Sequence, residues 1–329
     1  MPDSFQGKAS NRMIVGLFTL LDRLSGFVGP RIASLYSVTV KRNLEVSAWD
    51  SGTTHVDLYT PKRAQVTVNT RLPIAIVIHG GGFRFFSKDS HAPIAAMVAE
   101  MGFLTFSVNY RLTPRHAYPD GLIDVLSVYE WVLENGERLG GATHKITLLG
   151  ESAGANLAVA CALVASKICE PPRFPEKIKS VHWITPQKLV LHCGYHLVSG
   201  VDSHRDLSGV SEVVRSRMRM IERNYLRGRG EDSTHKEWML ADPLLVLEER
   251  AKLGSKLPAD FPEVFIPVGE DDPVLTDSLR IKDAFVALGV RSEFKLYPKS
   301  PHAFYVMPWH QQFKVIWKDI RSFLVPKAP

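Results

Sequence analysis

The sequence predicts an α/β fold in which one mainly parallel sheet is covered by helices on both faces. Three observations carry this. From residue 36 onward, short apolar runs alternate with segments whose apolar residues recur at helical spacing. The inner runs, such as Ile74 to Ile78 and Leu104 to Val108, are apolar at nearly every position, as strands covered on both faces are. Hydrophobic residues make up 45% and charged residues 22% of 329 positions, the mix of a soluble globular chain long enough to bury a substantial core.

The elements follow in order. In the segment from Met13 to Val28, Ile14, Leu17, Leu21, Leu24 and Val28 fall at helical spacing, so it reads as an amphipathic helix. Asp22 and Arg23 interrupt it, it is too short to span a bilayer, and it lacks the small-residue cleavage site of a signal peptide. Packing of its apolar stripe on the protein is the expectation, with peripheral contact to a membrane or lipid surface as the alternative. Strands are expected near Val38 to Arg42 and His55 to Tyr59, then at Ile74 to Ile78, Leu104 to Val108, Ile146 to Leu149, Leu189 to His192, Glu263 to Val268 and Glu293 to Leu296. Helices are expected at Ile94 to Met101, Gly121 to Glu134, Gly154 to Ser166, Thr276 to Leu288 and Gln311 to Phe323.

From about Tyr195 to Ala241 the rhythm breaks, and this stretch reads as an insertion. Within it, Val214, Met218, Ile221 and Tyr225 share one helical stripe beside Arg215, Arg219, Arg223 and Arg227. A solvated basic face over an apolar one is the plainer reading, ahead of an anion-binding face.

The net charge of +6, from 40 basic and 34 acidic side chains, comes with no basic tail, zinc spacing or RNA-binding signature, so no nucleic-acid partner is expected. Cys161, Cys169 and Cys193 cannot form a disulfide framework and fit a reducing compartment, so a cytoplasmic location with buried thiols is expected. His192 and Cys193, with His196 nearby, invite a metal reading, but no fourth ligand arrives at a recognisable spacing and no metal is expected.

The chemistry concentrates in a few stretches. Gly150-Glu151-Ser152-Ala153-Gly154 matches G-x-S-x-G directly after an expected strand and before an expected helix. Such a turn forces the serine into a strained conformation that exposes its hydroxyl, and the helix aims its positive end at the site. A serine hydroxyl needs a base, and an imidazole base needs a carboxylate to fix its tautomer. In folds that present such an elbow, the carboxylate and then the histidine follow in the chain. Glu270, Asp271 and Asp272 lie in the loop after one strand, and His302 lies in a proline-bounded loop after the next. The other histidines, His91 among them, lack such placement. Gly80, Gly81 and Gly82 after a strand offer bare backbone N–H groups which, with that of Ala153, suit an oxyanion hole.

These residues carry a resemblance. His79-Gly80-Gly81-Gly82, the serine pentapeptide, "YRLTPRHAYPDGLID", "ADPLL", Gly269 with Asp272-Pro273, and His302-Ala303-Phe304 follow one another in the order of the hormone-sensitive lipase family of α/β-hydrolases, which the chain resembles over about residues 70 to 305. The resemblance implies an α/β-hydrolase fold with a mostly parallel eight-stranded sheet and a helical cap. Residues 1–50 and 195–241 would supply the cap, and 51–194 with 242–329 the core.

It further implies a carboxylesterase for short- to medium-chain esters, acting through Ser152, His302 and Asp272, with no cofactor. Interfacial lipase, amidase or lactonase activity and a non-catalytic small-molecule-binding role are the alternatives, and a homodimer is compatible with the family. His79 and Glu151 would support the site, while Phe83, Phe85, Val214, Met218, Ile221 and Tyr225 would line the acyl pocket. "LHCGYH" departs from the tyrosine-proline pair common before the cap insertion, and Glu151 stands where one branch has aspartate.

Overall fold

The computed structural model describes residues 5–62, 71–170, 174–203, 207–229 and 235–325, with side chains at all of these but 5–14 and 235–236. Residues 204–206 and 230–234 of the expected insertion lie outside the described residues.

The chain opens with helix α1 (Phe5–Ala33), followed by strands β1 (Val38–Ser47), β2 (Thr53–Pro61) and β3 (Leu72–Ile78). Then come α2 (Ala92–Glu100), β4 (Leu104–Val108), α3 (Asp120–Asn135), β5 (Gly141–Glu151), α4 (Ala153–Ala165) and β6 (Lys188–His192). The break in the pattern holds α5 (Glu212–Tyr225) and a short α6 (His235–Trp238), and α7 (Pro243–Lys252) returns the chain. β7 (Glu263–Gly269), α8 (Leu275–Ala287), β8 (Ser292–Tyr297) and α9 (Phe313–Leu324) complete it.

The sheet has eight strands in the order β1-β2-β4-β3-β5-β6-β7-β8. β2 is antiparallel to both neighbours, and every pairing from β4 to β8 is parallel. Apolar side chains from both faces of the central strands are buried, one set under α3, α4, α7 and α8 and the other under α1, α2 and α9. Burial on both faces explains why these strands read as continuous apolar runs. α4 (AGANLAVACALVA) is buried at every position, because its small residues let a helix lie directly on the sheet.

Two expectations need revision. The segment 1–50 divides: α1 lies outside the sheet, whereas Val38–Ser47 is a sheet strand paired with β2. From Leu17 to Val28 the stripe expected to pack inward also faces the other way, while the side chain of Ile14 lies outside the described residues. Leu17, Leu24 and Phe27 are 54%, 51% and 62% exposed, and Leu20, Leu21 and Val28 are exposed with them. Apart from Phe18, the inward side is built from smaller or polar residues. Asp22 accepts a hydrogen bond from the Phe86 amide at 3.1 Å, and at Gly29 a Cβ would stand 2.1 Å from the Asp89 carbonyl oxygen. Close approach to the body therefore selects the narrow side of the helix, leaving the leucines outside.

Among the described residues, no helix is long and apolar enough to cross a membrane. Cys161, Cys169 and Cys193 are all buried and free, as expected.

Candidate active site

Parallel strands end at one edge of the sheet, so residues that follow β3, β5, β6, β7 and β8 gather there. Ser152 sits between β5 and α4 at φ 50°, ψ −114°, a region that non-glycine residues rarely occupy. The turn holds it there: its N–H donates to the His192 carbonyl at 2.9 Å, and its own carbonyl accepts from the N–H groups of Ala155, Asn156 and Tyr195 at 3.1, 3.2 and 3.0 Å. The flanking glycines are dictated by space. A Cβ at Gly150 would meet the Gly154 oxygen at 2.4 Å, and one at Gly154 would meet the Ile78 oxygen at 2.2 Å.

The three residues expected to act together do meet. The Ser152 hydroxyl lies 3.1 Å from His302 Nε2, and His302 Nδ1 lies 2.9 Å from each Asp272 carboxylate oxygen. The Asp272 side chain is wholly buried and also accepts from the Val274 N–H at 2.9 Å, while a third of the His302 side chain is exposed. Asp271, its neighbour, is exposed. Burial pulls the His302 imidazole down, but the facing Asp272 carboxylate and the Cys193 sulfur together outweigh it and hold the ring's pKa well above its ordinary value.

Gly81 and Gly82 adopt φ 106° and 62°. These left-handed conformations favour glycine, and the space is closed as well. A Cβ would meet the Phe85 oxygen at 2.1 Å from Gly81, Ile221 Cδ1 at 2.8 Å from Gly82, and Glu151 Oε1 at 2.7 Å from Gly80. Ala153 opens α4, where its N–H has no partner within the helix and points with the helix's positive end. His79 stacks on Tyr110 with ring centroids 4.2 Å apart and donates through Nδ1 to the Gly80 carbonyl at 2.8 Å. Burial, aided by neighbouring His91, lowers its pKa to about 3, so it is neutral at physiological pH.

The support around Glu151 is richer than the sequence suggested. Its carboxylate accepts from His91 Nε2 at 2.8 Å and from the Tyr305 hydroxyl at 2.9 Å. The sequence signal for Tyr305 was its position on the His302 loop; His91 carried none. Cys193 was set aside together with His196, yet its sulfur joins a cluster with Asp272 and His302, all within 4.8 Å of one another.

Of the expected pocket residues, Phe83 is buried and stacks on Tyr225 with centroids 3.8 Å apart. Phe85 faces Phe18 of α1 at 5.7 Å. Met218 is buried, and Val214 and Ile221 are partly buried against the same core as Tyr225. The stripe of α5 thus faces inward over the glycine turn. Arg219, on its outer side, is paired with Asp202 at 2.7 Å and Glu212 at 2.8 Å, in keeping with a solvated basic face.

A family model described as an alpha/beta hydrolase fold matches residues 75–306, most of the chain. The chain belongs to that family. This agrees with the resemblance to the hormone-sensitive lipase branch. A versiconal hemiacetal acetate esterase of Dothistroma septosporum is 28% identical over 261 residues, covering 76% of this chain and 71% of that protein. A carboxylesterase of Mycobacterium tuberculosis is 38% identical over 106 residues, covering 32% of this chain and 33% of that protein. Among solved structures, the hyperthermophilic esterase from the archaeon Pyrobaculum calidifontis has the same fold. It superposes with a TM-score of 0.72 at 21% identity, covering 98% of each chain.

Proposed function

We propose that this α/β-hydrolase is a carboxylesterase that cleaves short- to medium-chain esters through an acyl-enzyme on Ser152. The alignment Ser152–His302–Asp272, at 3.1 and 2.9 Å, is the observation that carries the reading. His302 Nε2 takes the Ser152 proton as the oxygen attacks the ester carbonyl. Asp272 orients the ring and balances the imidazolium that forms. The amides of Gly81, Gly82 and Ala153 receive the oxyanion, a contribution of about 3 kcal/mol for each well-placed donor. His302 returns the proton to the departing alcohol, then activates the water that clears the acyl group. A relative named for an acetate ester supports a short acyl chain. α1 and the segment around α5 act as a cap, with Ile221 over the glycine turn narrowing the acyl side.

Ser152→Ala should abolish hydrolysis of p-nitrophenyl butyrate while the circular dichroism spectrum stays unchanged; retained turnover would refute the assignment. A series of p-nitrophenyl esters from acetate to palmitate should peak at short to medium chains.

The exposed leucines of α1 favour a second reading, in which the enzyme works at a lipid surface. Asp22, an acidic residue of α1, is turned inward, while Arg23 and Arg31 are exposed beside the leucines, a pattern suited to anionic lipid headgroups. Activity that rises abruptly once the substrate exceeds its solubility would favour this mode, whereas smooth saturation would remove it.

A further inference from the structure

Cys193 has no part in the ester chemistry above, yet it lies among the groups that do. It follows β6, is wholly buried and has no disulfide partner. Its sulfur, a carboxylate oxygen of Asp272 and a ring nitrogen of His302 lie within 4.8 Å of one another. His192, another buried imidazole, places Nδ1 3.0 Å from the same sulfur, and its Nε2 has no hydrogen-bond partner. Thiol, imidazole and carboxylate together form the donor set of borderline-soft divalent cations. In a tetrahedral zinc site, bonds of about 2.0–2.3 Å leave neighbouring ligand atoms roughly 3.3–3.8 Å apart. Starting from 2.9 Å between Asp272 and His302 and at most 4.8 Å to the sulfur, shifts of about 1 Å or less suffice.

We propose that Cys193, Asp272 and His302 bind a zinc-type divalent cation, Zn2+ or Cd2+, and that the bound ion switches the hydrolase off. The switch rests on the catalytic reading given above; the ion site itself does not. The ion takes the lone pair of His302 Nδ1 and the sulfur of Cys193. The thiol proton leaves to solvent, and the imidazole carries its own proton on Nε2. That nitrogen then donates instead of accepting, so it cannot take the Ser152 proton. Asp272, drawn to the ion, no longer selects the tautomer that general-base catalysis needs. Burial pushes the Cys193 thiol up to about 11, so the thiol stays protonated until a metal displaces its proton. Mg2+ and Ca2+, which prefer oxygen ligands, should not substitute.

The probes are Zn2+ and Cd2+ added to the purified full chain. One equivalent of Cd2+ should produce the ultraviolet absorption of a cadmium–thiolate bond. Zn2+ should suppress p-nitrophenyl butyrate hydrolysis in a way that EDTA reverses and Mg2+ does not reproduce. Cys193→Ser should keep most of its turnover, lose the cadmium band and need about tenfold or more Zn2+ for half-inhibition. Cys161→Ser and Cys169→Ser should keep the band. If Cys193→Ser folds poorly, Cys193→Ala provides the same comparison. No band in the wild-type protein, or an unchanged band and unchanged half-inhibition in the Cys193 variants, would overturn the proposal. If the ester chemistry is wrong, turnover is missing from the outset, while the band and its loss on substitution still decide the metal site.

Discussion

Glu151 is a buried carboxylate next in sequence to Ser152, and its charge has to be held there. Burial pushes its pKa up, but the hydrogen bond and attraction from His91 outweigh burial and lower it from 4.5 to about 2. The stability this adds is fully present above pH 4.5 and is lost as pH falls toward 2. Glu151→Gln should therefore lower the melting temperature at neutral pH, by about 3 kcal/mol in free energy. It should also weaken the acid dependence of unfolding within that window; equal acid sensitivity in both proteins would contradict the assignment. His302 runs in the opposite sense. Its raised pKa means its stabilising pairing with Asp272 is complete below pH 6.5 and fades as pH rises through the folded value. Catalysis needs the neutral ring, so kcat/KM should fall on acidification with an inflection above 6.5. Asp272→Asn should shift that inflection downward and cost roughly ten-thousand-fold in kcat, whereas Asp271→Asn should be nearly silent. Ser152 and His302 could be read in advance because the elbow and the chain order are local signals. Cys193 could not, since its neighbours are set by how the ends of β6, β7 and β8 align.

At the level of elements, the glycines beside Ser152 serve packing as much as conformation. Gly154 lies on the first turn of α4, where a methyl group would stand 2.2 Å from the Ile78 oxygen of β3. Neither the helix nor a central strand yields easily, so Gly154→Ala should destabilise by about 3 kcal/mol or more, measured by denaturant titration. A small change there would mean that α4 can slide. Strands and helices were legible in the sequence because apolar runs and helical spacing record burial directly. The orientation of α1 was not. Periodicity shows which residues share a stripe, but the side that meets the body is decided by what fits closely, here Gly29 and the Asp22–Phe86 contact.

For the whole molecule, α1 leaves Leu17, Leu20, Leu21, Leu24, Phe27 and Val28 exposed along one side. Replacing Leu20 and Leu24 with glutamate should abolish sedimentation with vesicles of mixed neutral and anionic lipid, with hydrolysis of soluble esters unchanged; sedimentation equal to wild type would show that the surface serves another purpose. The sheet has a consequence of its own. His302 hangs from the loop after β8, an edge strand that among the described residues pairs with β7 alone, while Ser152 is anchored in the sheet interior at the end of β5. Border strands open locally at lower free energy than interior ones. On slow heating, turnover should therefore vanish several degrees before ellipticity is lost, and rapid cooling from that interval should restore it in full: the enzyme would carry a reversible thermal fuse at its margin.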